Sequence, residues 1–195
     1  MSRDEVVFDL ETRRDFRSGG NRVGIGELGV SVLGAYSYKA GEFFSFREEN
    51  LGEFERMLAE IGRVIGYNIK RFDYRVLQPH MRLLKLSLLP TLDLMEEPAV
   101  VLGYRPRLND LAKATLGEGK SGSGSLALEL YRLGKFAELE RYCLDDVRLT
   151  KALFEFGAQN GFVRTFAGIS GELRKVPVSW KRLEFAAAPQ HSLFG

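Results

Sequence analysis

The chain has 195 residues, 45% hydrophobic and 28% charged, with 28 basic against 26 acidic side chains and a net charge of +2. This is the mix of a soluble globular chain of one domain, with a core large enough to hold without staples; it excludes a disordered, collagenous or membrane-spanning one. A single cysteine, Cys143, rules out an intrachain disulfide, and two histidines, His80 and His191, leave little room for zinc or histidine-based catalysis. No stretch reaches the roughly 18 apolar residues of a membrane helix. The first residues, Met1 to Phe8, lack the apolar core of a signal peptide, so a reducing, cytoplasmic setting is expected. Residues 147–195 hold seven basic and three acidic side chains, which makes the last quarter basic and the rest slightly acidic. Such a split suits a phosphate backbone held beside metal-binding carboxylates, and equally a plain solvated tail.

In chain order, residues 5–10 are short, apolar and β-branched, a buried strand, and 12–24 form a basic, glycine-containing loop. Residues 28–38 and 42–46 predict two further strands, joined at Lys39 to Gly41 by a hairpin turn. Leu51, Phe54, Leu58 and Ile61 fall at helical spacing over 51–61. A strand over 63–67, a helix near 72–79 and a strand near 88–94 follow. Helices then dominate from about 108 to 158, the first of them capped near Asn109 and interrupted by a Gly/Ser loop over 117–125. The tail from about 161 suits a terminal hairpin, with Pro177 confining it to an edge. The pattern predicts an α/β fold with a mixed sheet and helices on its faces.

Two glycine patterns mislead. Gly24, Gly26 and Gly29 match the dinucleotide-binding spacing, but a polar loop precedes them and a strand-like run follows, the reverse of what that motif requires. Gly119-Lys120-Ser121 ends like a phosphate-binding loop. Its first glycine is missing, because Ala114 stands there, and a helical run precedes it; Lys120 is left as a loose point charge for phosphate.

The chemistry concentrates in carboxylates. Asp9 and Glu11 are two apart on the first strand and project to one side. Two acids there repel unless a cation lies between them, and a hard divalent ion prefers such oxygens. A solvated strand face explains the pair equally well. Asp73 falls in the first turn of the helix after 65–72, a position that the helix dipole also favours. Tyr142 and Asp146 are four apart and share a helix face, while Asp145 points about 100° away and is expected to be solvated. Cys143, with no histidine nearby in sequence, is expected to pack rather than react.

Together, Val6 to Thr12, Ile65 to Asp73 and Tyr142 to Thr150 resemble, in order, the three motifs of the DEDD superfamily of 3′→5′ exonucleases. The resemblance covers roughly residues 4–158 and is closest to the tyrosine-bearing branch, which includes the proofreading domains of family-B DNA polymerases. The histidine-bearing branch needs histidine five residues before Asp146, where Arg141 stands. The resemblance implies a ribonuclease H-like mixed sheet flanked by helices, within residues 1–160. It implies two divalent cations, Mg²⁺ or Mn²⁺, held by Asp9, Glu11, Asp73 and Asp146, with Asp9 bridging and Tyr142 orienting the attacking water. Free tyrosine titrates near pH 10, so positioning suits it better than proton abstraction. The expected substrate is a single-stranded 3′ end, DNA before RNA. Thr12, Phe16, Asn68 and Phe72 match positions near that substrate, and the loop from Thr12 to Asn21 also brings Arg13, Arg14 and Arg17. Each has a plain reading as loop, turn or core residue. A structure-selective nuclease or a non-catalytic binding module is the alternative. Residues 161–195 are expected to pack on the same domain as an extension of unknown role, and Phe185 to Phe194 is apolar enough to dock on a protein partner or a second copy.

Overall fold

The structure is a computed structural model that describes residues 4–17, 22–119, 122, 124–167 and 171–183. Lys120 and Ser121, residues 18–21 at the end of the Thr12 to Asn21 loop, and the apolar run from Phe185 to Phe194 lie outside those residues.

The sheet is built around β1 (Asp4–Thr12), whose Val6, Val7 and Phe8 are fully buried. β2 (Val30–Ser37) pairs antiparallel with β1, and β3 (Glu42–Phe46) pairs antiparallel with β2. After α1 (Leu51–Ala59), β4 (Ile61–Gly66) joins the other side of β1 in parallel. After α2 (Asp73–Leu77), the short β5 (Thr91–Asp93) extends that parallel side, so the five strands run β3-β2-β1-β4-β5. The predicted mixed sheet is present. Tight 38–41 turn geometry, with Gly41 at φ 72° and its N–H bonded to the Ser37 carbonyl at 2.9 Å, joins β2 to β3.

Strand alternation sorts β1 between two layers. Val6, Phe8 and Leu10 pack with Phe54 and Leu58 of α1 and Val76 and Leu77 of α2. The ring of Phe8 meets that of Phe54 edge-on, with centroids 5.1 Å apart. Val7 faces the other layer, where it joins Leu111 of α4 (Leu108–Leu116) and Val147, Leu153 and Phe154 of α6 (Phe136–Asn160). α6 has 25 residues, hence a length of about 37 Å, and packs across β3, β2, β1 and β4. A third cluster holds α5 (Gly124–Arg132) against β2 and the first half of α6, through Val32, Ala127, Leu130 and Leu139.

The chain closes with an antiparallel hairpin, β6 (Phe162–Ala167) and β7 (Glu172–Pro177), in which Pro177 pairs with Phe162. Val163, Val176, Val178 and Trp180 enter the same apolar cluster as α4 and α6. Trp180 lies over Gly157 of α6; a Cβ there would come within 2.3 Å of its ring. Beyond the hairpin, Arg182 and Arg63 both pair with Glu5, whose side chain is fully buried.

Several boundaries depart from the sequence reading. The helix over 51–61 stops at Ala59, because Ile61 is taken by the parallel ladder opposite Asp4. The strand over 63–67 shifts to 61–66. A Cβ at Gly66 would lie 2.1 Å from Ile69, so the chain folds back at once, and Asn68 takes the left-handed conformation at φ 61°. The strand over 88–94 shrinks to three residues, because 86–88 form a 3-10 turn ahead of Pro90. Helix α3 (Glu96–Leu102) is an addition; Pro98 looks like a breaker but sits in the first turn, where its missing N–H has no partner to lose. The Gly24 to Gly29 pattern is a 3-10 turn leading into β2, and Gly117 is only the left-handed cap of α4.

Candidate metal centre and nucleic-acid cleft

β1 leaves the core at its C-terminal end, and there its outward alternation becomes polar. Asp9 and Glu11 emerge on the face that α6 covers, both half-buried. From α6, Asp146 comes down onto them and is 1% exposed. The three carboxylates lie with ligand oxygens within 4.8 Å of one another. α6 can approach this closely because Gly34 of β2, the cross-strand partner of Asp9, has no side chain. A Cβ there would stand 3.1 Å from Leu144 and Val147 and 3.2 Å from the Cys143 sulfur.

Asp73 arrives from the opposite layer. It is the first residue of α2, 3% exposed, and accepts the Leu10 N–H at 3.3 Å. Burial, and next the neighbouring Asp9 charge, hold its carboxyl well above the ordinary carboxylate range. It stands outside the 4.8 Å cluster but lines the same cleft, of about 330 Å³, as Asp9, Glu11 and Tyr142. Tyr142 is 4% exposed and sits one turn before Asp146, as their spacing requires.

The residues expected near a substrate share this cleft. Thr12, Phe16, Asn68 and Phe72 all line it. Phe16 is 48% exposed, and its ring meets Phe72 edge-on with centroids 6.4 Å apart. The Thr12 hydroxyl donates to the Arg14 carbonyl at 2.8 Å and stiffens the start of the loop. Of the loop arginines, Arg14 lines the cleft, but Arg13 turns away. Its guanidinium pairs with Glu48 at 3.0 Å and donates to the Val30 carbonyl at 3.0 Å. Asp145 is half-exposed near Arg148, and its side chain borders a different depression. Cys143 is fully buried; burial first, then the charges of Asp9 and Glu11, push its thiol well up, so it packs and carries no thiolate.

Sequence reasoning missed Asp93. It ends β5, is 2% exposed, and its two carboxylate oxygens accept the N–H groups of Asn68 at 2.7 Å, Met95 at 3.1 Å and Lys70 at 3.3 Å. Burial pushes its carboxyl up despite those three donors. Asp93 thereby fixes the loop that carries Asn68 and Phe72 and delivers Asp73. An acid at the end of a three-residue strand offers no local signal for this. Tyr67 was missed as well; its ring lines the cleft, and its hydroxyl donates to the Pro106 carbonyl at 2.7 Å.

The donor set suits a hard divalent cation. All four acids are oxygen donors, and they reach one cleft from two layers, Asp9, Glu11 and Asp146 as a close cluster and Asp73 beside it.

No protein-family model matches the sequence, and no curated protein matches it. Solved structures do. The family B DNA polymerase from the hyperthermophilic archaeon Pyrobaculum calidifontis matches with a TM-score of 0.57 over 80% of this chain, at 18% identity. RNase D of Trypanosoma brucei matches with a TM-score of 0.50 over 80% of this chain, at 17% identity. The fold is ribonuclease H-like. This chain spans 25% of the polymerase and 57% of the RNase D chain, so the likeness is one of architecture. Within the ribonuclease H-like frame, the acids gather where β1, α2 and α6 converge. No helix among the described residues is long and apolar enough to cross a membrane.

Proposed function

We propose that the protein is a divalent-metal-dependent 3′→5′ exonuclease of the tyrosine-bearing DEDD type, acting on single-stranded nucleic acid, DNA before RNA. The observation that carries this is the convergence of Asp9, Glu11 and Asp146 within 4.8 Å, in a cleft also lined by Asp73 and Tyr142. Asp9, Glu11, Asp73 and Asp146 would hold two cations, Mg²⁺ or Mn²⁺, which when bound neutralise the phosphate charge and make a water acidic enough to give hydroxide at neutral pH. Asp9 faces both Asp73 and the Glu11–Asp146 pair, which suits it to a shared ligand. Tyr142 orients the attacking water through its hydroxyl. Phe16 and Phe72 offer aromatic surface to the terminal base, a contact indifferent to sequence. Thr12 and Asn68 hold the sugar end, and Arg14 meets the phosphate. The net reaction adds water across the last phosphodiester and yields a nucleoside 5′-phosphate and a new 3′-hydroxyl.

We assign this chemistry to residues 1–160, with 161–195 as an extension on the same domain, in a reducing cytoplasm. The test compares wild type with Asp9→Ala on 5′-labelled single strands of DNA and RNA, in Mg²⁺, Mn²⁺ or EDTA. The expected result is a metal-dependent ladder that shortens from the 3′ end and is absent in the variant. Internal cuts would replace the exonuclease with a structure-selective nuclease. Binding without cleavage would replace it with a non-catalytic module.

A further inference from the structure

A second cavity, about 480 Å³ and so larger than the acidic cleft, opens on the far side of α2. Its size falls within the range of about 300–1,000 Å³ usual for small-ligand sites. Among the described residues three cations line it, Lys70, Arg75 and Lys85, and no carboxylate does. Arg75 and Lys85 are exposed and make no ion pair among the described residues. Lys70 shares its charge with Glu96 at 2.7 Å, an exposed pair that an anionic ligand can readily compete with. The wall beneath is largely apolar, from the ring of Tyr74 and from Leu89, and Tyr74 is held by a 2.6 Å hydrogen bond between its hydroxyl and that of Thr91.

The cavity is also built to stay in place. The Gln78 amide donates to the Leu84 carbonyl at 3.0 Å and accepts the Leu86 N–H at 2.9 Å. Both ends of that side chain are therefore used to hold the loop that presents Lys85. Cations at the rim above an apolar wall match a ligand with an anionic group at one end and a flat, weakly polar body at the other.

We propose that this cavity binds a phosphate ester carrying a nucleobase, with Arg75 and Lys85 on the phosphate and Tyr74 and Leu89 against the base. Two sources share this chemistry, a free mononucleotide and a nucleotide within a strand. The site stands whether or not the acidic cleft is a nuclease centre, because its residues are separate from that cleft.

The experiment is calorimetric titration in EDTA, where no cleavage occurs. The probes are dAMP and a phosphorothioate-capped single-stranded oligonucleotide. The proteins are wild type, Asp9→Ala, Arg75→Ala/Lys85→Ala and Arg75→Lys. The expected result is saturable binding to wild type and Asp9→Ala alike, weakened about tenfold or more in the double alanine variant and largely kept in Arg75→Lys. Dependence on the two cations for dAMP assigns the site to free nucleotide; dependence for the oligonucleotide alone assigns it to the strand. Binding of neither probe at millimolar concentration would overturn the proposal. So would binding that the double variant leaves unchanged. Circular dichroism of the double variant separates loss of site from loss of fold.

Discussion

Asp9 lies directly across from Gly34, and the missing side chain of Gly34 is what admits α6 to the acid cluster. The carboxylate and the gap belong to neighbouring strands, yet they act as one feature. Cys143, from α6, fills part of the gap, with its sulfur 3.5 Å from the Asp9 carbonyl.

Gly34→Ala would place a methyl group 3.1 Å from Val147, which is fully buried, and from Leu144, which is partly buried. We expect a stability loss of about 1–3 kcal/mol. We also expect an activity loss of about 10–100-fold, because Asp146 would be displaced from Asp9. Thermal melts and single-turnover rates, measured together, check whether both fall.

Tyr142→Phe removes one oxygen from a side chain that is almost wholly buried. The fold should survive with a change within about 1 kcal/mol. The rate should drop by about 10²-fold or more if the hydroxyl holds the water, with strand affinity little changed. A rate equal to wild type would remove the tyrosine-bearing assignment.

Asp93→Ala leaves three N–H groups without their acceptor, that of Met95 buried and those of Asn68 and Lys70 partly so. A cost of about 2–4 kcal/mol is expected, together with loosening of residues 67–72. Hydrogen exchange at Asn68 and Lys70 should rise, and cleavage should weaken even though Asp93 is no part of the acid cluster.

Glu55 of α1 provides a pH test away from the cleft. Its Oε1 accepts the N–H groups of Arg82, Leu83 and Leu84 at 2.7–2.9 Å. Burial alone would raise its carboxyl, but these donors overcome that and hold it below its ordinary value. Its stabilisation is therefore present above the unfolded carboxyl's pKa of about 4.3 and is lost as pH falls through the lower folded value. Wild type should exceed Glu55→Gln by about 1–3 kcal/mol at pH 7. The gap should close under acid, as read by urea unfolding at several pH values.

What could be read in advance had short-range causes. Asp9 and Glu11 share a face because strands alternate, and Tyr142 and Asp146 share one because helices repeat. The sheet followed from apolar runs such as Val6 to Phe8. What escaped reading depends on distant partners. Arg13 looked like a substrate contact, but Glu48 and the Val30 carbonyl claim it. Asp93 looked like an ordinary strand end, and only its proximity to the Asn68 turn gives it work. The length of β5 depended on the 3-10 turn at 86–88, and α3 lies in a stretch, between the strand near 88–94 and the helices from 108, for which the sequence predicts no element.

Trp180 rests in the notch above Gly157, and Arg182 reaches back to the buried Glu5 beside the first strand. During synthesis, Arg182, the second cation of Glu5 in β1, is added 177 residues after it. Of the two cations that pair with Glu5, Arg63 alone precedes the segment from Trp180 to Arg182 in the chain. A ribosome stalled before residue 180 would hold a nascent chain that encodes the whole acid cluster but lacks the tryptophan that fills the slot over Gly157.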